Sequence, residues 1–199
     1  MENILISLIL GFVLMSSTNG ITRPTDIILD KNGYKNILVA IHPRVAEDTS
    51  LIQSIKDMFI EASDYLYTAT YHRAYFKEVT ILIPANWKDD PSYQKATKEI
   101  YDNADVAISS PNISNHPAQP STRSFSGCGS PGIRIQLTST FFTDSHIKRA
   151  LGSRGRLLVH EWAHFRWGVF DEYPHDGEQS FYFSPSSGEY KPVICNDHM

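Results

Sequence analysis

The 199-residue chain lacks any excess of positive charge. It contains 18 lysine and arginine residues against 22 aspartate and glutamate residues, which gives a net charge of −4, and neither sign is gathered into a tail. A protein that binds nucleic acid needs a basic face to neutralise phosphates, so this charge balance excludes nucleic acid as a partner. Internal repeats and low-complexity tracts are also absent, and the length suits one domain with a sizeable core.

No apolar run is long enough to span a bilayer comfortably. The most apolar one, Ile4–Met15, is interrupted only by Ser7 and Gly11, and small and polar residues follow it up to Gly20. A short apolar run at the N-terminus is typical of a secretory signal peptide. We therefore predict a signal peptide over residues 1–20, cleaved near Gly20, and one domain over residues 21–199. The run lacks basic residues before it, and the alternative is a buried N-terminal strand or helix.

Cysteine is scarce: Cys128 and Cys195 are the only two. In an oxidising compartment they could form a disulfide that stabilises the fold by up to about 4 kcal/mol. The alternative is that each cysteine has its partner elsewhere or outside this chain. Asn112 begins an Asn-Ile-Ser glycosylation acceptor that follows Pro111. These features together predict a secreted or extracellular protein, glycosylated at Asn112 and associated with the cell surface.

Predicted strands and helices alternate along the chain, which favours an α/β fold with a mixed, mostly parallel sheet. Apolar residues recur at helical spacing from Leu51 to Leu66, and Ser50 with Gln53 could form a capping box there. A second helix is predicted over Asp89–Ala104. Buried strands are predicted over three further segments: Tyr34–Pro43, Glu78–Pro84 and Asp105–Ser109.

The second half of the chain begins with a long loop. Residues 110–132 are rich in proline, serine, glycine and asparagine. The alternation of apolar and polar residues in Ile133–Thr138 then predicts a half-exposed or edge strand. Gly152 and Gly155 mark a break before the final helix. That helix ends at Gly168, because a glycine near a helix C-terminus can take a left-handed conformation.

The final helix carries the residues that point to chemistry, in the stretch VHEWAHFRWGVFDEY from Val159 to Tyr173. His160 and His164 are four residues apart, so both rings lie on one helix face and can meet at one metal ion. Glu161 is placed to act as a general base on water at such an ion. Zinc needs a third protein ligand and an open position.

The third ligand is predicted to follow the turn at Gly168. Asp171 could reach the ion there, because zinc accepts a carboxylate oxygen. Metzincins have the pattern HExxHxxGxxH, in which the glycine and the third ligand each come one residue earlier. Glu172 is the nearest competitor, and Glu178 and Glu189 are more remote ones. The competing interpretation of the stretch is an aromatic core helix with a chance HExxH, since Trp162 and Phe165 also suit a core.

This stretch resembles the signature of the calcium-activated chloride channel regulator family. The resemblance extends through NGYKNILVAIHP, LIQSIKDMFIEAS, FKEVTILIPANWK and NADVAIS, and so covers nearly all of the chain after the leader. It implies a zincin-like metallohydrolase domain in a secreted or surface-attached protein that cleaves itself and modulates calcium-dependent chloride currents. It assigns zinc to His160, His164 and Asp171 and the general base to Glu161.

The resemblance also implies segments that are missing after Met199. The family has a cysteine-rich segment, a von Willebrand factor A domain and β-rich domains after its metallohydrolase domain. We therefore expect the domain over residues 21–199 to be incomplete at its C-terminal end and weakly active alone. Pro174 stands where the family pattern predicts asparagine.

Three functions compete. The first is a zinc metallopeptidase whose substrate is a peptide or protein, including the longer form of the protein itself, bound along the strand Ile133–Leu137. The second is a truncated regulatory ectodomain that acts on a chloride channel at the cell surface. The third is a structural zinc domain, closed by a fourth ligand such as Glu172 or His175.

Overall fold

The structure, a computed structural model, describes residues 4–11, 26–111, 119–124, 129–169, 171 and 179–192. By their internal contacts the residues form two compact units, Met1–Gly168 and Val169–Met199. None of the helices within the described ranges combines the length and the apolar character that crossing a bilayer requires.

Helices and strands alternate along the described chain. The helices are α1 (Thr49–Ala69), α2 (Ser139–Thr143), α3 (Ser145–Leu151) and α4 (Arg154–Trp167), with a 3-10 turn at Tyr101–Asn103. The strands are β1 (Leu5–Leu10), β2 (Ile28–Asp30), β3 (Gly33–Lys35), β4 (Ile37–Ile41), β5 (Tyr75–Phe76), β6 (Glu78–Ile83), β7 (Gln94–Lys95), β8 (Val106–Ser109), β9 (Ser121–Arg123), β10 (Arg134–Thr138), β11 (Phe181–Ser184) and β12 (Glu189–Pro192).

Seven strands form the central sheet, in the order β7–β1–β6–β4–β8–β10–β9. The pairings are parallel except that of β9 with β10, which is antiparallel. Val39 of β4 lies between Ile81 of β6 and Val106 of β8. The predicted α/β class with a mixed, mostly parallel sheet is therefore confirmed. A smaller sheet contains β2, β3 and β5.

The two faces of the central sheet bury different side chains. Successive side chains of a strand point to opposite faces, so Val39 joins the larger cluster and Ala40 the smaller one. The larger cluster takes in buried residues of α1 and α4, among them Phe59 and Trp162. The smaller cluster is rich in alanine, and Tyr101 packs against it. The main core therefore lies on the helical face of the sheet and holds α4 in place.

Helix α1 buries the residues that its spacing predicted: Leu51, Ile52, Ile55, Met58, Phe59, Ala62 and Leu66. Its N-cap is Asp48, whose Oδ1 accepts hydrogen bonds from the backbone N (2.9 Å) and the hydroxyl (2.6 Å) of Ser50. The predicted capping box of Ser50 and Gln53 is therefore wrong, because the aspartate before the helix already accepts a first-turn amide. Gln53 donates to Asp57 instead, at 2.8 Å.

The helix predicted over Asp89–Ala104 is also wrong. This segment contains the short strand β7 and the 3-10 turn. Asp90 Oδ1 accepts from the Ser92 backbone N at 2.8 Å, and Glu99 Oε2 accepts from the Thr97 backbone N at 2.8 Å. Such local bonds give the backbone an alternative to helical pairing, and here the alternative prevails.

The segment predicted as one strand over Tyr34–Pro43 is divided in two. Asn36, at φ 62°, separates β3 from β4. Asparagine tolerates this left-handed conformation better than most residues. The chain thus moves at Asn36 from the small sheet into the central one.

The edge of the sheet lies on a different strand from the one predicted. Strand β10 shows the expected alternation of burial, but it pairs with β8 on one side and β9 on the other. Among the described strands, the edge on this side of the sheet is β9, which comes from within the polar loop predicted over residues 110–132, and the opposite edge is β7. The expectation that Ile133–Leu137 forms the edge is therefore corrected in favour of Ser121–Arg123.

The N-terminal apolar run contributes strand β1 to the sheet. It pairs in parallel with β6, from Leu5 opposite Glu78 to Leu10 opposite Ile83. Ile9 is the buried residue of this strand, and the other five are partly or fully exposed, so the choice between a leader and a buried N-terminal strand stays open. Cleavage near Gly20, which lies outside the described residues, stays a prediction.

The second unit contains an antiparallel hairpin of β11 and β12. Four aromatic side chains of this hairpin are exposed: Phe181, Tyr182, Phe183 and Tyr190.

Candidate metal centre

Helix α4 is fixed at its start by a cap and by close contact with α1. The Ser153 hydroxyl accepts a hydrogen bond from the Arg156 backbone N at 3.2 Å. Gly155 faces α1, where a Cβ atom on it would lie 2.7 Å from the Ala62 backbone N. The glycine therefore permits an approach of the two helices that no other residue would allow without displacement.

The aromatic residues of α4 belong to the core, as the competing interpretation expected. The Trp162 ring is fully buried, with its centroid 4.8 Å from that of Phe76 and 5.1 Å from that of Tyr34. Phe165 is also buried, and its ring centroid lies 5.6 Å from that of Trp162. The aromatic residues anchor the helix, while His160 and His164 remain half-buried. The core and site interpretations are thus compatible.

His160 and His164 meet as the spacing predicted. Their ring centroids lie 4.6 Å apart with the ring planes at 89°, and the two Nε2 atoms lie 3.1 Å apart. Both nitrogens therefore face one point beside the helix. Two imidazole nitrogens so placed can share a metal ion.

Glu161, between the histidines in sequence, is only 7% exposed. Its Oε2 lies 2.7 Å from the hydroxyl oxygen of Thr122 on β9, which also lies 2.9 Å from the Glu161 carbonyl oxygen. A buried carboxylate requires such hydrogen bonds. Thr122 is not predictable from the sequence, because it lies in a polar segment with no strand periodicity.

The helix ends at Gly168, as predicted. This residue has φ 64°, and its backbone N donates to the His164 carbonyl at 3.1 Å. Its own carbonyl accepts from the Gly129 backbone N at 2.8 Å. A side chain at position 168 would overlap the backbone of Ser130. Glycine is therefore required at this turn by both conformation and space.

Asp171 follows this turn and belongs to the candidate site. His160, His164 and Asp171 each offer one ligand atom, and these atoms all lie within 4.8 Å of one another. They form a possible metal-binding group of two imidazoles and one carboxylate. Glu161 and Glu189 are described residues that this group does not include. The competitors Glu172 and Glu178, and also His175, lie outside the described residues.

Three other predicted positions are also outside the described residues. They are the glycosylation acceptor Asn112 and the cysteines Cys128 and Cys195. Their modification and pairing stay predictions.

Comparisons with known proteins agree with the resemblance in the sequence. A family model described as "Calcium-activated chloride channel N terminal" matches residues 27–199. Calcium-activated chloride channel regulator 1 of Equus caballus is 48% identical over 170 residues, which are 85% of this chain and 18% of that protein. Calcium-activated chloride channel regulator 2 of Mus musculus is 47% identical over 148 residues, covering 74% of this chain and 16% of that protein. No solved structure matches the chain.

Proposed function

The chain belongs to the calcium-activated chloride channel regulator family, and from this premise we propose that it is a zinc-dependent metallohydrolase domain of a secreted regulator. It spans about a fifth of the length of the relatives it matches, so the proposal concerns this region alone. One observation carries it. Two imidazole nitrogens lie 3.1 Å apart on a helix whose intervening glutamate is buried and hydrogen-bonded.

The donor atoms fit zinc. Two nitrogens bound tetrahedrally at about 2.0–2.1 Å from zinc would lie about 3.3–3.4 Å from each other. The distance of 3.1 Å between the Nε2 atoms of His160 and His164 is within a few tenths of that value. A carboxylate oxygen of Asp171 adds a third donor that zinc accepts. Three protein ligands leave one position open, which is the arrangement of a catalytic site.

The residues around the ion would have different roles in hydrolysis. When bound, zinc supplies Lewis acidity and lowers the pKa of water. His160, His164 and Asp171 would hold the ion, and Glu161 would accept a proton from the attacking water and pass it to the leaving amine. The low exposure of Glu161 favours this role, because a proton acceptor acts best where bulk water does not compete.

A peptide substrate would bind along β9. This strand is one of the two edge strands of the described sheet, and Thr122 on it lies within hydrogen-bonding distance of Glu161. An extended peptide can add to a sheet edge through main-chain hydrogen bonds, which suits a protease that acts on unfolded segments. Self-cleavage of the longer form of the protein would use the same edge. A mostly parallel sheet with one antiparallel edge strand beside the HExxH helix supports a zincin-like fold.

Export remains part of the proposal. The apolar run Ile4–Met15 supports a leader, the Asn112 acceptor supports glycosylation, and secretion would allow Cys128 and Cys195 to pair. A secreted chain should begin after the leader and lose one glycan in an Asn112→Gln variant. An N-terminus at Met1 in secreted material would refute the leader, and unchanged mobility of the variant would refute the glycan.

Regulation of a chloride channel is the second candidate function. It is supported by the names of the relatives, which are calcium-activated chloride channel regulators. The domain would then bind a channel at the cell surface, and Glu161 would be dispensable. Currents measured with wild-type and Glu161→Gln chains separate the two functions, since only a hydrolytic effect requires the carboxylate.

The proposed hydrolase is tested by metal content and cleavage in the same preparations. The wild-type chain and Glu161→Gln should each bind about one zinc, whereas His160→Ala and His164→Ala should bind none. Among these, only the wild-type chain should cleave a peptide library, weakly in the 199-residue form and more strongly when the chain is extended with the family's downstream segment. His146→Ala is the matched control, because His146 is exposed on α3. Unchanged zinc in both histidine variants, or full cleavage by Glu161→Gln, would contradict the proposal.

A further inference from the structure

We propose that Thr122 is a positioning residue for the Glu161 carboxylate, an inference that rests on the proposed hydrolase function. The Thr122 hydroxyl oxygen lies within hydrogen-bonding distance of both Oε2 and the carbonyl oxygen of Glu161. A hydroxyl has one hydrogen to donate. The carboxylate is the stronger acceptor and the nearer one, at 2.7 Å against 2.9 Å, so the donated bond goes to Oε2.

The bond matters because helix geometry does not set the orientation of the carboxylate. Rotation about the last side-chain bond of glutamate is broad, with no strong staggered minimum. A proton acceptor must lie within about 2.6–3.2 Å of the proton donor in the productive pose, so a freely rotating carboxylate would often be misplaced. A hydroxyl fixed on the neighbouring strand restricts that rotation.

Thr122 is itself held on both branches of its side chain. Its strand pairs with β10, where Thr122 lies opposite Ile135. A Cβ atom added at Gly132 would lie 2.6 Å from the Thr122 methyl group, so glycine leaves the space that this methyl occupies. The Gly132 backbone N donates to the Phe165 carbonyl on α4 at 2.9 Å. A β-branched side chain confined in this way keeps one rotamer.

The same arrangement links substrate binding to proton transfer. Strand β9 is the outer edge on which a peptide would lie, and Thr122 is the middle residue of its three. A peptide that pairs with β9 would therefore lie beside the Glu161 carboxylate, which Thr122 positions. Thr122 acts through Glu161, so its loss should lower kcat and leave KM unchanged.

The test compares Thr122→Val, Thr122→Ser and Gly132→Ala with the wild-type chain. Thr122→Val keeps the shape and removes the hydroxyl, and we expect kcat to fall roughly tenfold or more, with KM and zinc content unchanged. Thr122→Ser should retain most of the activity, and Gly132→Ala, which displaces the methyl group, should lose it. Thr97→Val is the matched control, because the exposed Thr97 hydroxyl also donates to a carboxylate, Glu99 Oε2 at 3.3 Å. A Thr122→Val chain with wild-type kcat would overturn the proposal.

A second measurement needs no catalytic activity. In the metal-free chain, Thr122→Val should lower the unfolding midpoint by roughly 5 °C, and by clearly less when Glu161 is already alanine. Equal lowering in both backgrounds would show that the two side chains are not coupled and would overturn the positioning role. If the two substitutions are coupled but the chain cleaves no peptide, the positioning role stands and the proposed hydrolase function is wrong.

Discussion

Replacement of Gly155 by alanine should loosen the attachment of the site helix to the rest of the core. The added Cβ would lie 2.7 Å from the Ala62 backbone N and 2.8 Å from the Glu61 backbone carbon, whereas ordinary contact begins at 3.4 Å. The two helices would therefore have to separate by about 0.6–0.7 Å at this point. Separation would also lengthen the hydrogen bond from the Gly155 backbone N to Glu61 Oε2, which is 3.0 Å long.

The sign of the effect follows from two opposing contributions. Alanine is favoured over glycine within a helix by up to about 1 kcal/mol, but less at the second residue of α4. Overpacking a well-packed contact costs about 1–3 kcal/mol. We therefore expect Gly155→Ala to lower the free energy of unfolding by about 1–2 kcal/mol, which corresponds to a fall in Tm of roughly 2–8 °C for a domain of this size.

Urea unfolding followed by tryptophan fluorescence measures this change, because the buried Trp162 lies on the same helix. Glu61→Ala provides the control. This substitution removes the Glu61 Cγ, which would lie 2.6 Å from the Cβ added at position 155, but it leaves the two close backbone contacts in place. The double variant should therefore remain less stable than Glu61→Ala alone. A Gly155→Ala chain as stable as wild type would refute the close approach of α1 and α4.

Three further predictions concern the ends of the helices and the ligands. Gly168→Ala should destabilise the chain by at least about 1–2 kcal/mol in urea unfolding and weaken zinc binding, because alanine at φ 64° is strained and overlaps Ser130. The Ser50 hydroxyl, followed by backbone amides, holds the pKa of Asp48 below its usual value. The cap thus stabilises the folded chain at pH values above the unfolded pKa of about 4. There, Asp48→Ala should lower the free energy of unfolding by roughly 1 kcal/mol, and this difference should disappear as the pH falls through the folded pKa. Zinc affinity, measured by competition with a chelator, should decrease on acidification, because protonated imidazole cannot bind zinc; pH-independent affinity would exclude histidine ligands.

The parts of the fold that are predictable from sequence are those with strong local patterns. Buried strands such as β6 and the helix α1 carry continuous or periodic apolar residues, and the structure forms them where expected. The end of α4 is predictable because Gly168 is a conformational signal in itself. The pairing of His160 with His164 follows directly from helical spacing.

The parts that are not predictable depend on contacts distant in sequence. Strand β9 is three residues long and polar, and becomes a strand by pairing with β10. Residues 89–104 have helical composition, yet the side chains of Asp90 and Glu99 stabilise turns there. Thr122 contacts Glu161 across 39 positions of sequence, so no local pattern reveals it.

X-ray absorption at the zinc edge tests the central claim most directly, because it reports the ligands of the metal in the intact chain. The wild-type chain should bind about one zinc with nitrogen and oxygen ligands only, including two imidazoles, and Asp171→Ala should lose one oxygen ligand or the metal. A chain that takes up no zinc, or whose zinc is bound by sulfur from Cys128 or Cys195, would contradict the metal centre formed by His160, His164 and Asp171.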